Sequence, residues 1–235
     1  MADVHDKETR SKQTTKRVSK KKIAFFQEKI LQWYKENGRT FLWREEGLTS
    51  YQYIIAEVLL QRTKAETIAK FYPLFLAEFP NWEALAEAEP GRVEEYLRPV
   101  GLYRQRAKRS ISLANEMVKR KGVLPTNRKE LEGIPFMGQY IANAVELVIF
   151  GQPSPLVDVN MARVLERFFG ARQMADIRYD PYLQKLSYKV VKHVNVKKLN
   201  WAILDFAALV CKARSPICQQ CSLQEECKYF YLYSY

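Results

Sequence analysis

The chain has 235 residues, 47% of them hydrophobic, which suffices to bury a sizeable core and excludes an intrinsically disordered protein. We see no apolar run of membrane-spanning length and no secretory segment, so we expect no membrane partner. The formal net charge of +12 favours an acidic partner such as nucleic acid, although charge alone is equally consistent with solubility.

The composition favours helices, because there are only 9 glycines and strand-like alternation of apolar and polar residues is rare. Residues 1–22 are polar and rich in lysine, and we predict that they form a flexible basic arm. Apolar residues at helical spacing predict a first helix over residues 23–37, which Gly38 ends.

A second helix is predicted over residues 50–63, with Ser50 as its N-cap. Glu57 lies in an otherwise apolar part of this helix. Its side chain either points inward, where a carboxylate is costly without a partner or a task, or lies on an exposed polar face, which helix geometry alone favours.

Further helices are predicted over residues 65–79, 82–87, 90–97 and 104–121. The last of them carries Arg106 and other cations in its first turn, where positive charge opposes the helix dipole. An anion bound at this end would offset that conflict.

A helix–hairpin–helix is predicted over residues 127–150. Asn127 caps a short helix, Pro135 and Gly138 belong to a tight turn, and a second helix begins near residue 139. Such a turn directs free backbone N–H groups toward one point beside a helix N-terminus, which makes a site for a phosphate-sized anion. Proline and glycine between helices are common, so the motif by itself is only moderately specific.

Asp158 directly precedes a periodic helix that ends at Gly170. Without other information, an ordinary N-cap is the simpler interpretation of this carboxylate. Helices near residues 181–193 and 199–210 follow, and the second of them leads into Cys211.

All four cysteines of the chain lie close together, at Cys211, Cys218, Cys221 and Cys227, with gaps of six, two and five residues. A single iron–sulfur cluster of the [4Fe-4S] type suits such a compact four-cysteine loop. A structural zinc site is the main alternative, but it usually has two Cys-x2-Cys pairs and here there is one. Disulfides are disfavoured without a secretory segment, and unligated thiols come last.

The order of these features resembles the helix–hairpin–helix DNA glycosylases, the superfamily of endonuclease III and the MutY adenine glycosylases. The resemblance runs from about residue 23 to residue 229 and is strongest to the Mig-type mismatch thymine glycosylases and to the catalytic half of MutY. It rests on Glu57-Val-Leu-Leu-Gln-Arg-Thr63, on Val157-Asp158-Val-Asn-Met-Ala-Arg163 and on Leu204-Asp205-Phe-Ala-Ala-Leu-Val-Cys211.

The resemblance implies an all-α fold of two helical lobes, with the active site in the cleft between them. One lobe is a six-helix barrel that contains the hairpin, here residues 47–155. The other combines residues 23–46 with residues 156–235 and holds one [4Fe-4S] cluster. The cluster would be a structural staple, because all four thiolates are ligands and no coordination position stays open for substrate.

The implied activity is hydrolysis of a base–sugar bond in DNA, with the base rotated out of the duplex into a pocket. Asp158 would stabilise the positive charge that develops on the sugar, and Glu57 would face the extruded base as a hydrogen-bond donor or acceptor. Tyr140 either lines the base pocket or packs in the core. Bifunctional members have a lysine at the position of Tyr140, so the resemblance implies a monofunctional glycosylase of base excision repair.

The resemblance also implies which residues contact double-stranded DNA that contains a mismatch or lesion. Two loops would fill the gap left by the rotated nucleotide, the hairpin would bind a phosphate, and the loop between the first two cysteines would contact the backbone. The first group is Gln61, Arg62, Thr63, Leu102 and Tyr103, the second is Gly138 and Gln139, and the third is Lys212 and Arg214. The hairpin departs from the family at Phe136, which replaces a glycine and should reshape the turn.

We expect the excised base to be thymine or uracil opposite guanine. Tyr140 supports this choice, as does the end of the chain soon after the cysteines, which leaves no room for the C-terminal domain with which MutY reads 8-oxoguanine. Excision of adenine opposite guanine or 8-oxoguanine is the alternative, supported by Glu57 and Gln61, and damaged pyrimidines come third. A non-catalytic mismatch-binding iron–sulfur module and a zinc-binding regulator are alternatives of a different class. We expect a monomer in the cytoplasm, associated with the nucleoid.

Overall fold

The computed structural model describes residues 18–233, and this part of the chain is all-helical, without a strand. The predicted fold class is thereby confirmed. Its α-helices are α1 Lys20–Asn37, α2 Ser50–Leu60, α3 Ala65–Glu78, α4 Trp82–Glu87, α5 Pro90–Leu97, α6 Tyr103–Lys119, α7 Arg128–Glu132, α8 Gln139–Val148, α9 Val159–Phe169, α10 Pro181–Val191, α11 Val196–Leu209 and α12 Lys228–Tyr233. Short 3-10 turns cover Leu42–Arg44, Arg98–Val100, Cys218–Gln220 and Gln224–Glu226. Within residues 18–233 no helix has both the length and the apolar character needed to cross a membrane.

The first helix starts earlier than its apolar spacing predicts. α1 begins at Lys20, because the Ser19 hydroxyl accepts a hydrogen bond from the Lys22 amide at 3.1 Å and caps the helix. The last residues of the predicted basic arm are therefore helical, and residues 1–17 of that arm lie outside the described part of the chain.

The second helix differs from the prediction at both ends. Its N-cap is Thr49 and not Ser50, since Thr49 and Gln52 form a reciprocal capping box. The helix ends at Leu60 rather than at residue 63, because Arg62 takes a left-handed backbone conformation with φ 59°.

The helices bury two clusters of apolar side chains. The first cluster lies among α2 to α8 and includes Phe75 and Leu113. The second lies among α1 and α9 to α11 and includes Phe168 and Ile203. Helix α2 belongs to both, since Tyr53 on its other face packs into the second cluster. Residues on α2 are thus placed at the boundary between the two apolar cores.

A buried ion-pair network joins α11 to the segment that follows α1. The Asp205 carboxylate is fully buried and accepts hydrogen bonds from the amide and Nε of Arg39 and from both terminal nitrogens of Arg44, at 2.8–2.9 Å. Burial alone would raise the pKa of Asp205, but the two guanidinium groups outweigh it and hold the pKa below its ordinary value. Arg39 also pairs with Glu66 on α3 at 2.7 Å, so the network links both apolar clusters.

Candidate active site

A cleft of about 1030 Å³ opens between the two apolar clusters. Its walls come from α2, the hairpin and α8, the segment before α9, and α11, and they include Glu57, Tyr140 and Asp158. A second cleft of about 920 Å³, between α9 and α12, contains none of these three residues. The three side chains with a predicted catalytic role therefore share one cleft.

Glu57 points inward and is only 4% exposed. The interpretation that helix geometry alone favoured, an exposed Glu57 on a polar face, is therefore wrong. Burial raises the pKa of Glu57 to about 7, whereas the nearby hydroxyls of Tyr53 and Tyr140 and the charge of Arg44 lower it; the charge of Asp158 adds to the rise. A carboxyl group with this pKa is present in both protonation states at neutral pH. It is therefore suited to proton transfer in either direction.

Tyr140 lies near the start of α8, beside Glu57. Its ring packs against both apolar clusters and also lines the cleft, so core packing and a place in the pocket are compatible. Burial raises the pKa of its phenol well above the ordinary value, and the charges of Glu57 and Asp158 act in the same direction. The hydroxyl therefore stays protonated and can donate a hydrogen bond into the cleft.

Asp158 is both the N-cap of α9 and part of the cleft wall. Its Oδ1 accepts hydrogen bonds from the amides of Asn160 at 2.9 Å and Met161 at 2.8 Å, and its Oδ2 accepts one from Asn160 Nδ2 at 2.6 Å. Burial raises the pKa of Asp158, and these three donors oppose the rise. The capping bonds hold the carboxylate in one orientation at the edge of the cleft.

Two buried asparagines, which sequence analysis missed, position the segment that carries Asp158. Asn143 on α8 donates from Nδ2 to the Pro155 carbonyl at 2.7 Å. Asn200 on α11 accepts from the Leu156 amide at 2.8 Å. Both asparagines are at most 1% exposed. Helical periodicity places them on apolar faces, which is the one signal by which the sequence could have revealed them.

The hairpin turn contains Phe136 in a left-handed backbone conformation, with φ 72°. A residue with a side chain is strained there, and glycine would not be. The ring lies 4.6 Å from the Arg109 guanidinium and lines the cleft, so the side chain adds a contact that glycine lacks. The first intrahelical bond after the turn runs from the Ala142 amide to the Gly138 carbonyl, which leaves the amides at the start of α8 without a helical acceptor.

Arg106 holds the loop after α2 in place. The expectation that the cations in the first turn of α6 bind an anion is therefore wrong for Arg106. Its guanidinium is buried and donates to the Leu59 carbonyl at 2.8 Å, to the Gln61 carbonyl and to Thr63 Oγ1 at 2.7 Å. The Thr63 hydroxyl in turn donates to the Val100 carbonyl at 3.4 Å. These bonds connect the loop that starts at Gln61 to the loop before α6.

The other residues with a predicted DNA contact lie at the mouth of the cleft and beyond it. Gln61, Arg62, Thr63, Gly138 and Gln139 line the cleft itself, whereas Leu102 and Tyr103 do not. Leu102 stands outside it in a left-handed conformation and is 52% exposed. Leu102 is thus an exposed apolar side chain on a strained turn, next to the start of α6.

The loop that begins at Cys211 is attached to α9 by two arginines. Arg163 donates to the Cys211 carbonyl at 2.9 Å, and Arg167 donates to the Lys212 carbonyl at 2.7 Å. These bonds hold the loop through its backbone and leave the side chains of Lys212 and Arg214 exposed. The two cations are therefore available to a negatively charged partner.

The four cysteines are partly buried and form no disulfide. Among residues 18–233 no group of three or more His, Cys, Asp or Glu side chains is arranged to hold a single metal ion. The thiols nevertheless influence one another: burial raises the pKa of Cys218, Cys221 and Cys227, and the charges of the other cysteines raise it further. Four neighbouring thiols in one short loop fit a polynuclear iron–sulfur centre in donor type and number.

Comparison with known proteins gives one family. The model of the HhH-GPD superfamily of base excision DNA repair proteins matches residues 55–191. A thymine-DNA glycosylase of Aeropyrum pernix is 34% identical over 218 residues, which cover 91% of this chain and 97% of that protein. A thymine/uracil-DNA glycosylase of Pyrobaculum aerophilum is 32% identical and covers 88% of this chain and 91% of its own.

The fold is also similar to a solved structure. A structure described as a thermostable thymine-DNA glycosylase superposes with a TM-score of 0.83 at 29% sequence identity. The superposition covers 90% of this chain and 98% of the other.

Proposed function

Because the chain belongs to the HhH-GPD superfamily of base excision DNA repair proteins, we propose that it is a monofunctional DNA glycosylase that removes thymine or uracil mispaired with guanine. The observation that carries the proposal is that Glu57, Tyr140 and Asp158 line one cleft between the two apolar clusters. The similarity to thymine and thymine/uracil glycosylases over about nine-tenths of the chain supports the choice of base.

The reaction breaks the bond between the base nitrogen and C1′ of the deoxyribose and forms a bond from C1′ to a water oxygen. The base must first leave the helical stack, because C1′ is shielded in a duplex. The departing base takes up a proton, and the attacking water loses one. A cleft of about 1030 Å³ has room for an extruded nucleotide and the attacking water.

Asp158 acts on the sugar. Positive charge develops on the deoxyribose as the base leaves, and a fixed carboxylate close to it lowers the energy of that state. The capping bonds from Asn160 and Met161 keep the carboxylate oriented, so little reorganisation is needed during the reaction. Asn143 and Asn200 support the same orientation from the preceding segment.

Glu57 and Tyr140 act on the base. A carboxyl group with a pKa of about 7 can donate a proton to the departing base or hold the attacking water as an acceptor. The neutral Tyr140 phenol offers a ring for stacking and a hydroxyl for a hydrogen bond to a base oxygen. No lysine replaces Tyr140 to form a Schiff base, and this supports release of the base without strand cleavage.

DNA binding combines three sets of contacts. The free amides at the start of α8, beside Gly138 and Gln139, bind one phosphate. Gln61, Arg62, Thr63, Leu102 and Tyr103 lie on two connected loops and occupy the space left by the extruded nucleotide. Lys212 and Arg214 contact the backbone electrostatically. The partner is double-stranded DNA with a mismatch, bound by a monomer in the nucleoid.

A panel of duplexes tests the proposal. With T·G, U·G, A·G and A·8-oxoguanine substrates under single-turnover conditions, we expect strand breaks from T·G and U·G only after alkali treatment, because hydrolysis leaves an intact abasic site. Properly paired T·A duplex is the control for mismatch dependence. Borohydride added during the reaction should trap no covalent adduct.

Other outcomes of the panel identify the alternatives. Faster release of adenine than of thymine would assign the chain to the adenine glycosylases. Tight binding to T·G duplex without release of any base would favour the non-catalytic mismatch-binding module. A high yield of adduct with borohydride would contradict monofunctional chemistry.

We further propose that Cys211, Cys218, Cys221 and Cys227 hold one [4Fe-4S] cluster. The cluster would tie the C-terminal loop together through its four cysteine ligands. It would take no part in the reaction, because no coordination position is open for substrate. We expect purified protein to absorb near 400 nm and to contain about four iron and four sulfide per chain. A colourless protein with one zinc per chain would replace the cluster with the zinc alternative.

A further inference from the structure

Two buried polar atoms next to the cleft have no hydrogen-bond partner among residues 18–233. They are Oη of Tyr53 and Oε2 of Glu57. Tyr53 is 2% exposed and Glu57 is 4% exposed, so neither group is solvated from outside. Buried hydroxyl and carboxyl groups in proteins are almost always hydrogen-bonded, and an orphaned pair calls for an explanation.

The two side chains are neighbours on one face of α2. Tyr53 and Glu57 are four residues apart, which places them one helical turn from each other. Side chains on a helix lean toward its N-terminus, so the Glu57 carboxyl is directed back over Tyr53. One group is a donor and the other an acceptor, so a hydrogen bond between them satisfies both.

We propose that Tyr53 is a positioning residue, which donates a hydrogen bond from Oη to the Glu57 carboxyl and so holds the other carboxyl oxygen toward the cleft. The catalytic consequence rests on the function proposed above, whereas the bond itself does not. Tyr53 does not line the cleft, so it acts on Glu57 and not on the substrate.

Four charged or titratable groups face Glu57. They are Tyr53 on α2, Tyr140 on α8, Arg44 in the 3-10 turn and Asp158 at the cap of α9. Tyr53, Tyr140 and Arg44 favour the ionised carboxylate, whereas burial and Asp158 favour the protonated form. Removing the Tyr53 hydroxyl takes away one group that favours ionisation, so the pKa of Glu57 must rise. This direction is the same whether Glu57 donates or accepts a proton in the reaction.

Tyr53→Phe isolates the hydroxyl, because it removes one oxygen and keeps the ring. Tyr51→Phe is a matched control on the same helix, since the Tyr51 hydroxyl is also buried but donates to the Phe79 carbonyl, away from the cleft. The readout is a carboxyl-carbon NMR titration of free protein with labelled glutamate, in which the signal lost in Glu57→Gln identifies Glu57. We expect the Glu57 midpoint to rise by roughly half to one pH unit in Tyr53→Phe and to stay unchanged in Tyr51→Phe.

A second measurement uses the unaltered protein. The phenol-carbon signal of Tyr53, assigned by its loss in Tyr53→Phe or Tyr53→Leu, should change with the same midpoint as Glu57. A folded Tyr53→Phe protein with an unchanged Glu57 midpoint would overturn the proposal, and so would a Tyr53 signal that does not follow Glu57.

Activity separates this inference from the proposed function. In single-turnover base release, the limb of the pH profile that reports Glu57 should move to higher pH in Tyr53→Phe by the shift measured by NMR. An NMR shift in a protein that releases no base from any duplex would refute the glycosylase assignment and leave the Tyr53–Glu57 bond supported.

Discussion

Replacing Asp158 with asparagine is expected to lower the single-turnover rate of base release by about a thousandfold or more. The substitution removes the negative charge that would face the developing sugar cation. Asparagine still accepts hydrogen bonds and is as good an N-cap as aspartate, so α9 should remain capped. The rate is measured with enzyme in excess over T·G duplex, and circular dichroism checks that the fold is kept.

Asp180 provides a matched control for this variant. It is the N-cap of α10 and accepts from the Leu183 amide, but it lies outside the cleft. Asp180→Asn makes the same chemical change at another helix start. There the second carboxylate oxygen also accepts from the Gln173 and Met174 amides, which an amide nitrogen cannot do, so this variant should lower stability without lowering the rate per folded molecule. If Asp158→Asn retained a rate within about tenfold of wild type, the role of Asp158 in the reaction would be rejected.

Replacing Asp205 with alanine is expected to lower the free energy of unfolding by about 3–5 kcal/mol. The Asp205 carboxylate is 0% exposed and the Arg44 side chain 10%, so the variant leaves a guanidinium buried without its counter-ion. The same change frees α11 from the segment after α1. Chemical denaturation followed by circular dichroism measures the loss.

Glu66→Ala is the control for the same network. Glu66 pairs with Arg39 at the surface, with a side chain 62% exposed, and its removal should cost less than about 1 kcal/mol. Comparable losses from both variants would contradict the view that stability depends on the buried part of the network.

The pH dependence of the Asp205 effect has a definite sign. Pairing lowers the folded-state pKa of Asp205 below its unfolded value. Its contribution is therefore present above the unfolded pKa and is lost as the pH falls through the lowered, folded-state pKa. The stabilities of wild type and Asp205→Ala should approach each other in acid.

Local pattern was a reliable guide to helices and a weaker guide to their ends. The hydrophobic spacing of α1 and α2 predicted both helices, but Ser19 and Thr49 cap them at positions where several polar residues were available. A cap depends on a single hydrogen bond, and neighbouring polar residues could form a similar one. The spacing of apolar residues therefore does not determine which residue caps the helix.

The residues of the cleft were reached through family resemblance and not through local pattern. Helix geometry favoured an exposed Glu57, and an N-cap was a sufficient account of Asp158. The positions of both carboxylates depend on how apolar faces from distant parts of the chain pack together. This packing buries α2 between the two apolar clusters and brings the start of α9 to the same cleft.

By itself the sequence determined an all-helical chain, a hairpin between α7 and α8, and a loop of four thiols, because periodicity, turn residues and spacing are local properties. Only the tertiary structure decided that Glu57 is buried, that Tyr53 is buried next to it, and that Arg106 holds a loop in place. It also revealed that Asp205 pairs with Arg39, 166 residues away along the chain. Burial and pairing depend on which distant faces meet, and that is settled by the packing of the whole chain.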